Sequence, residues 1–284
     1  MEFIKIIQAI ILGIVEGITE WLPISSTGHM ILVNEFMGIG EKDFFSSQIF
    51  LYVIQLGAIL AIATLYFNKL NPFSPSKDIT EKKSTWQMWF KVIAACIPAA
   101  ILGLLFNDAM DAISTPLVVS ILLIVYGVAF ILIERKNSVA SVNNMNEMTY
   151  KTALIIGLCQ VLSIIPGTSR SGATILGSIL IGCSRGVAAE FSFFLAIPVM
   201  FGVSFLKIGS YLKDVYIDKI VSPIPSGDWL LLGLGMIVAY VVSLISVKFL
   251  VNYVRKHDFK FFGWYRIALG LLVLAFFYLP LILK

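Results

Sequence analysis

The sequence predicts an all-α integral membrane protein built as an inverted-topology repeat, with six transmembrane helices and two re-entrant helical hairpins in one structural domain. Two observations carry this expectation. Of the 284 residues, 58% are hydrophobic and only 13% charged, and the mean hydropathy is +0.92; a soluble domain would carry roughly a quarter of its residues as charges. Second, residues 9–32, AIILGIVEGITEWLPISSTGHMIL, align without a gap on residues 153–176, ALIIGLCQVLSIIPGTSRSGATIL, at a constant offset of 144. Ala9 falls on Ala153, Gly13 on Gly157, Ser25 on Ser169, Gly28 on Gly172, and Ile31 with Leu32 on Ile175 with Leu176. The chain reads as an internal duplication, 1–144 and 145–284.

Each copy opens with a segment long enough to span but broken halfway, at about 3–38 by LPISSTG and at about 148–184 by IPGTSRSG. Proline removes a backbone donor and glycine loosens a helix. Each segment is therefore better drawn as two half-helices meeting at a turn, and a membrane tolerates such backbone only where it lines a cavity. The alternative is a pair of kinked full spans, which gives eight. A spanning helix needs about 20 mostly apolar residues. The windows near 45–67, 87–106 and 115–134 qualify in the first copy, and those near 187–210, 229–250 and 262–283 in the second. One hairpin plus three spans per copy turns the second copy upside down.

The loops supply an orientation. Loop 68–86 holds Lys69, Lys77, Lys82 and Lys83, the segment after the third span holds Arg135, Lys136 and Lys151, and loop 251–261 holds Arg255, Lys256 and Lys260. Loop 107–114 has no basic residue, and loop 211–227 balances Lys213 and Lys219 against Asp214 and Asp218. By the positive-inside rule the three basic loops face the cytoplasm, so both termini and the mouth of the first hairpin face outward. The second hairpin then enters from the opposite side, and the tips can meet inside the membrane. Glu2 and the lack of a small-residue cleavage site argue against a removable signal peptide. The net charge of +4 sits in short loops, so it speaks for topology and against nucleic acid. Cys96, Cys159 and Cys183 lie in apolar stretches and read as small buried residues without a disulfide.

The chemistry concentrates at the two breaks. Glu16 and Glu20 are four residues apart and share a helix face. Two carboxylates inside a bilayer are costly unless paired, hydrated or bound to a cation, and their mutual repulsion favours a shared divalent metal or acid/base work. Arg170, the one basic residue expected at that depth, stands between Ser169 and Ser171 and is flanked by Gly167 and Gly172. A guanidinium fork, hydroxyls, glycines and a helix N-terminus make an anion site suited to phosphate. At the first tip, Ser25 reads as a helix cap, Ser26 as a nucleophile, and His29 as its base. Gly13 and Gly17 form a GxxxG pattern for close helix packing. Gln160 occupies the place of Glu16 in the second copy, so one joint site with a carboxylate side and an arginine side is expected.

At these residues the chain resembles the undecaprenyl-diphosphatase family, the bacitracin-resistance (BacA/UppP) proteins. EGITEWLPISSTGH at 16–29 and PGTSRSG at 166–172 match the family's two signature stretches, and AAEFSFFLAIP at 188–198 resembles a third. The resemblance implies a multi-pass phosphatase of the bacterial plasma membrane, with its active site opening to the outer face. Its substrate would be undecaprenyl diphosphate, hydrolysed to the monophosphate carrier lipid of peptidoglycan synthesis. It also implies a divalent cation (Mg2+ or Ca2+) and bacitracin resistance through competition for the lipid. Carried over by motif, Glu16 and Glu20 are the metal or acid/base pair, Ser26 the nucleophile or its near neighbour, His29 its catalytic partner and Arg170 the diphosphate clamp. Thr27 and Ser169 support phosphate binding. A phosphoenzyme on Ser26 and direct water activation by His29 both stay open, as does a homodimer. Two rivals remain: a transporter or flippase, because broken inverted repeats suit alternating access, and a two-histidine lipid phosphatase, which His257 in a basic loop disfavours.

Overall fold

The computed structural model describes residues 3–40, 43–136 and 139–282, without the side chains of 107–112 and 280–282. The described chain is helical. α1 (Phe3–Thr19) and α2 (Ser26–Phe36) form the first broken segment; α3 (Gln48–Leu65), the single turn α4 (Phe67–Leu70), α5 (Ile79–Ala112) and α6 (Pro116–Arg135) follow. α7 (Tyr150–Val161), with a short 3-10 extension at Leu162–Ile164, and α8 (Arg170–Leu180) form the second broken segment, and α9 (Arg185–Tyr216), α10 (Asp228–Val254) and α11 (Lys260–Ile282) complete the chain.

Six of these helices, α3, α5, α6, α9, α10 and α11, are long and apolar enough to cross a membrane, which matches the six expected windows. Their outward faces are oily rather than polar. The apolar window of α5 has a mean hydropathy of 2.1 but is only 17% buried, and it exposes Phe90, Ile93, Ile97, Ile101, Leu104 and Leu105. That surface suits lipid rather than water.

The helix ends depart from the expected windows. α5 starts at Ile79, so Lys82 and Lys83 lie in its first turns rather than in a loop, because Asp78 and Glu81 bond each other's backbone N–H and cap the helix there. α9 likewise runs on to Tyr216, taking in Lys213 and Asp214.

Helix neighbours pair off under the 144-residue shift. α1 packs on α10 as α7 packs on α5; α3 packs on α10 as α9 packs on α5; α3 with α9 and α6 with α11 pair across the middle. Gly13 and Gly17 serve the expected close packing, and their partner is α10: a Cβ at either would stand 2.7 and 2.8 Å from the carbonyl oxygens of Gly235 and Ala239. The largest buried cluster gathers Trp21, Ile59, Phe130, Phe191, Phe193, Phe194 and Phe259 around both breaks. At the basic end, Glu134 takes a two-pronged ion pair from Arg185 and a bond from the Phe259 N–H, and Ser84 of α5 bonds Asn146. These contacts tie the three lysine- and arginine-bearing connections together.

Candidate active site

The two breaks are built alike. α2 and α8 are both eleven residues long and start 144 residues apart, at Ser26 and Arg170. Each is capped by the preceding serine: Ser25 Oγ accepts from Gly28 N at 3.4 Å and Ser169 Oγ from Gly172 N at 3.2 Å. Both capping serines sit at positive φ, 75° and 70°, a conformation that costs a non-glycine residue energy and is commonly held at functional sites. Gly167, at φ 92°, is where the second tip turns against Val119; a Cβ there would lie 2.7 Å from the Val119 Cα.

The breaks face each other and meet on one carboxylate. Glu20 Oε1 accepts from Arg170 Nη2 at 2.9 Å, and Oε2 accepts from Ser26 Oγ at 3.2 Å. The side chains of Arg170 and Glu20 are 10% and 9% exposed, so the pair is nearly desolvated and its removal one-sidedly would be costly. α9 finishes the arginine's cradle: Arg170 Nη1 donates to Ser192 O at 2.9 Å, Nη2 also approaches Met200 Sδ at 3.4 Å, and the guanidinium lies 5.6 Å from the Trp21 ring. Ser171 Oγ reaches across to Leu22 O at 3.2 Å and stands 3.2 Å from Ser169 Oγ. Thr174 Oγ1 and Ser192 Oγ, both fully buried, close the floor at 2.7 Å.

Glu16 lies one turn before Glu20, is 6% exposed, and feels the charges of both Glu20 and Arg170. Among the described residues no cluster of three or more His, Cys, Asp or Glu side chains forms a ready-made metal cage. Two neighbouring carboxylates do suit a hard cation that completes its shell with water and phosphate oxygens.

His29 departs from the expected arrangement. Its Nδ1 bonds Ser25 O at 2.7 Å and its Nε2 bonds Tyr265 OH at 2.8 Å, with the two rings stacked 9° apart in plane. A carbonyl can only accept, so Nδ1 carries the proton and Tyr265 donates to Nε2. The partner of Ser26 is therefore Glu20, not His29. The reason is geometric: His29 follows Ser26 by three residues on α2 but leans toward α11. Ser26 and His29 are half-exposed and Thr27 exposed, so this side is the mouth.

Three contributors escaped the motif reading. Ser192 lies inside the third stretch, AAEFSFFLAIP, but only its carbonyl and hydroxyl matter. Tyr265 and Arg266 lie in the last span. Arg266 is fully buried and donates to Pro23 O at 3.2 Å and to Gly167 O and Thr168 O at 3.0 Å each. The expectation that Arg170 is the sole deep arginine is thus corrected; a lone arginine in the apolar run FGWYRIALG was the available signal.

This geometry can be set beside known proteins. The family model for the bacitracin resistance protein BacA matches residues 9–272. The chain belongs to the BacA family. Relatives include an undecaprenyl-diphosphatase of Enterococcus faecalis, 57% identical over 280 residues covering 97% of this chain and 99% of that protein. An undecaprenyl-diphosphatase 1 of Clostridioides difficile is 52% identical over 279 residues, covering 98% of each. One of Latilactobacillus sakei is 53% identical over 282 residues, covering 98% of this chain and all of that protein. The BacA match takes in both breaks and runs into α11, so Glu20, Arg170 and Arg266 all lie within it.

Proposed function

We propose that this chain is an undecaprenyl-diphosphate phosphatase: it hydrolyses the diphosphate to undecaprenyl phosphate and inorganic phosphate, returning the carrier lipid to peptidoglycan synthesis. Removing the diphosphate lipid also removes the target of bacitracin, which accounts for resistance. The observation that carries the reading is the Glu20 carboxylate held between Ser26 Oγ and Arg170 Nη2. A nucleophile, a base and an anion clamp thereby share one carboxylate.

The diphosphate competes with Glu20 for Arg170, and the incoming phosphate takes over the guanidinium fork. Glu20 is then free to accept the Ser26 proton as Oγ attacks the terminal phosphorus. The bond to the bridging oxygen breaks, undecaprenyl phosphate leaves, and a phosphoserine remains until water from the mouth releases it. Ser169, Ser171 and Thr27 hydroxyls, the close backbone at Gly167 and Gly172, and the first amides of α8 hold the phosphate oxygens. Glu16 and Glu20 would hold Mg2+ or Ca2+, which supplies neutralisation of the diphosphate charge when bound. His29, with Nδ1 donating to Ser25 O and Nε2 held by Tyr265, positions the mouth side of the first tip.

The broken segments act as re-entrant hairpins of an inverted repeat, 1–144 and 145–284, with the basic end cytoplasmic and the mouth opening to the outer face of the bacterial inner membrane. The test is phosphate release from undecaprenyl diphosphate by the purified protein in detergent, with and without a chelator. Release that needs the cation and disappears in Arg170→Ala supports the reading. No release by folded protein would replace it with the transporter reading, since detergent abolishes transport but not hydrolysis.

A further inference from the structure

Arg266 is buried in the wrong company for a structural arginine. It is 0% exposed, its Nε has no partner, and none of the ion pairs among the described residues includes it. Its three acceptors are backbone carbonyls: Pro23 of the first tip, Gly167 and Thr168 of the second. The Tyr126 ring covers its other side at 5.4 Å. A buried cation without a carboxylate is expensive unless something anionic arrives nearby.

Its neighbourhood says where the anion arrives. A Cβ on Gly172 would stand 3.1 Å from Arg266 Nη1, and Gly172 is the residue whose N–H Ser169 caps at the start of α8. The guanidinium therefore sits against the first turn of α8, beside Gly172. We propose that Arg266 is a positioning residue with two separable roles: its fork latches the two tips in register, and its uncompensated charge draws the phosphate into the cradle. This rests on the phosphatase reading above. Neither role needs Arg266 to touch substrate; the fork acts through carbonyls and the charge acts through the field.

The two roles divide between kinetic constants, which a merely structural residue would not do. In Arg266→Lys the charge stays and the fork goes, so inhibition by inorganic phosphate stays near wild type while kcat falls about tenfold. In Arg266→Gln both go, so kcat falls about a hundredfold and the inhibition constant for phosphate rises about tenfold. Melting temperature and elution profile are measured on both, with Arg170→Ala alongside. The proposal is overturned if Lys and Gln behave alike on phosphate inhibition, if both keep wild-type kinetics, or if neither folds, since the last would assign Arg266 to assembly alone. Wild-type protein whose phosphate release ignores Arg170→Ala would instead sink the site reading on which this rests, and the two failures are told apart by that variant.

Discussion

The two broken segments have one backbone and two chemistries. Both cap an eleven-residue helix with a serine at positive φ, and both place a glycine three residues later to receive the cap. Their first helical residues, Ser26 and Arg170, correspond under the repeat, and each bonds a different oxygen of the same Glu20 carboxylate. Where the first broken segment has Glu16 and Glu20, the second has Gln160 and Ile164. The two breaks thus share one backbone arrangement, and the three corresponding positions 16/160, 20/164 and 26/170 carry different side chains. A backbone solution can be copied whole while its charges are reassigned one residue at a time.

The sharpest challenge to that comparison is the shared carboxylate. Glu20→Ala and Arg170→Ala should each lower kcat/KM for undecaprenyl diphosphate by about 10³-fold, and the double variant by little more, because residues acting as a unit are not additive. Losses that multiply would show that the two hairpins act separately.

Glu16→Gln makes the first hairpin copy the second at that position. About 10²-fold loss of phosphate release is expected, with part of it regained by raising the divalent cation concentration. The reverse change, Gln160→Glu, buries a carboxylate where both amide atoms now lack a partner; it should leave kcat within about threefold but lower the melting temperature, equivalent to about 2–4 kcal/mol. Equal effects of the two substitutions on kcat would mean that the hairpins are not functionally distinct.

Tyr265→Phe removes the hydroxyl on His29 Nε2 and keeps the stacked ring. A fall of about tenfold in kcat with unchanged stability is expected; no change would remove His29 from the positioning of the first tip. Smallest are the caps. Ser25→Ala and Ser169→Ala each lose the cap and keep the strained φ, destabilising by about 1–2 kcal/mol, whereas the glycine versions lose the cap but relieve the strain, leaving a few tenths. Thermal unfolding in detergent measures this, and a difference between the two tips would break their equivalence.

Much of this was legible in the sequence because the two broken segments align at a fixed offset and spans are read from hydropathy. The cap at Ser25 was legible too, whereas Ser169, its counterpart at the second break, was read only for phosphate binding and caps α8 as well. The helix ends were not: α5 and α9 run several residues past their apolar windows, carried by polar caps and charge pairs that hydropathy ignores. The partner of Ser26 was misjudged because proximity in sequence favours His29, whereas α11, 236 residues away, takes the imidazole through Tyr265. Arg266 went unused because nothing near it in sequence gives a lone arginine a role; its acceptors lie 98, 99 and 243 residues distant.

The latch on the two tips ends on main-chain oxygens, and a carbonyl is the one group that substitution leaves in place. Exchange of side chains on the tips therefore leaves the acceptors of Arg266 in place, although the Arg170–Glu20 pair and the Ser171 hydroxyl also cross between the tips. What the tips recognise and what aligns them thus overlap at Arg170 and Ser171 but separate at Arg266.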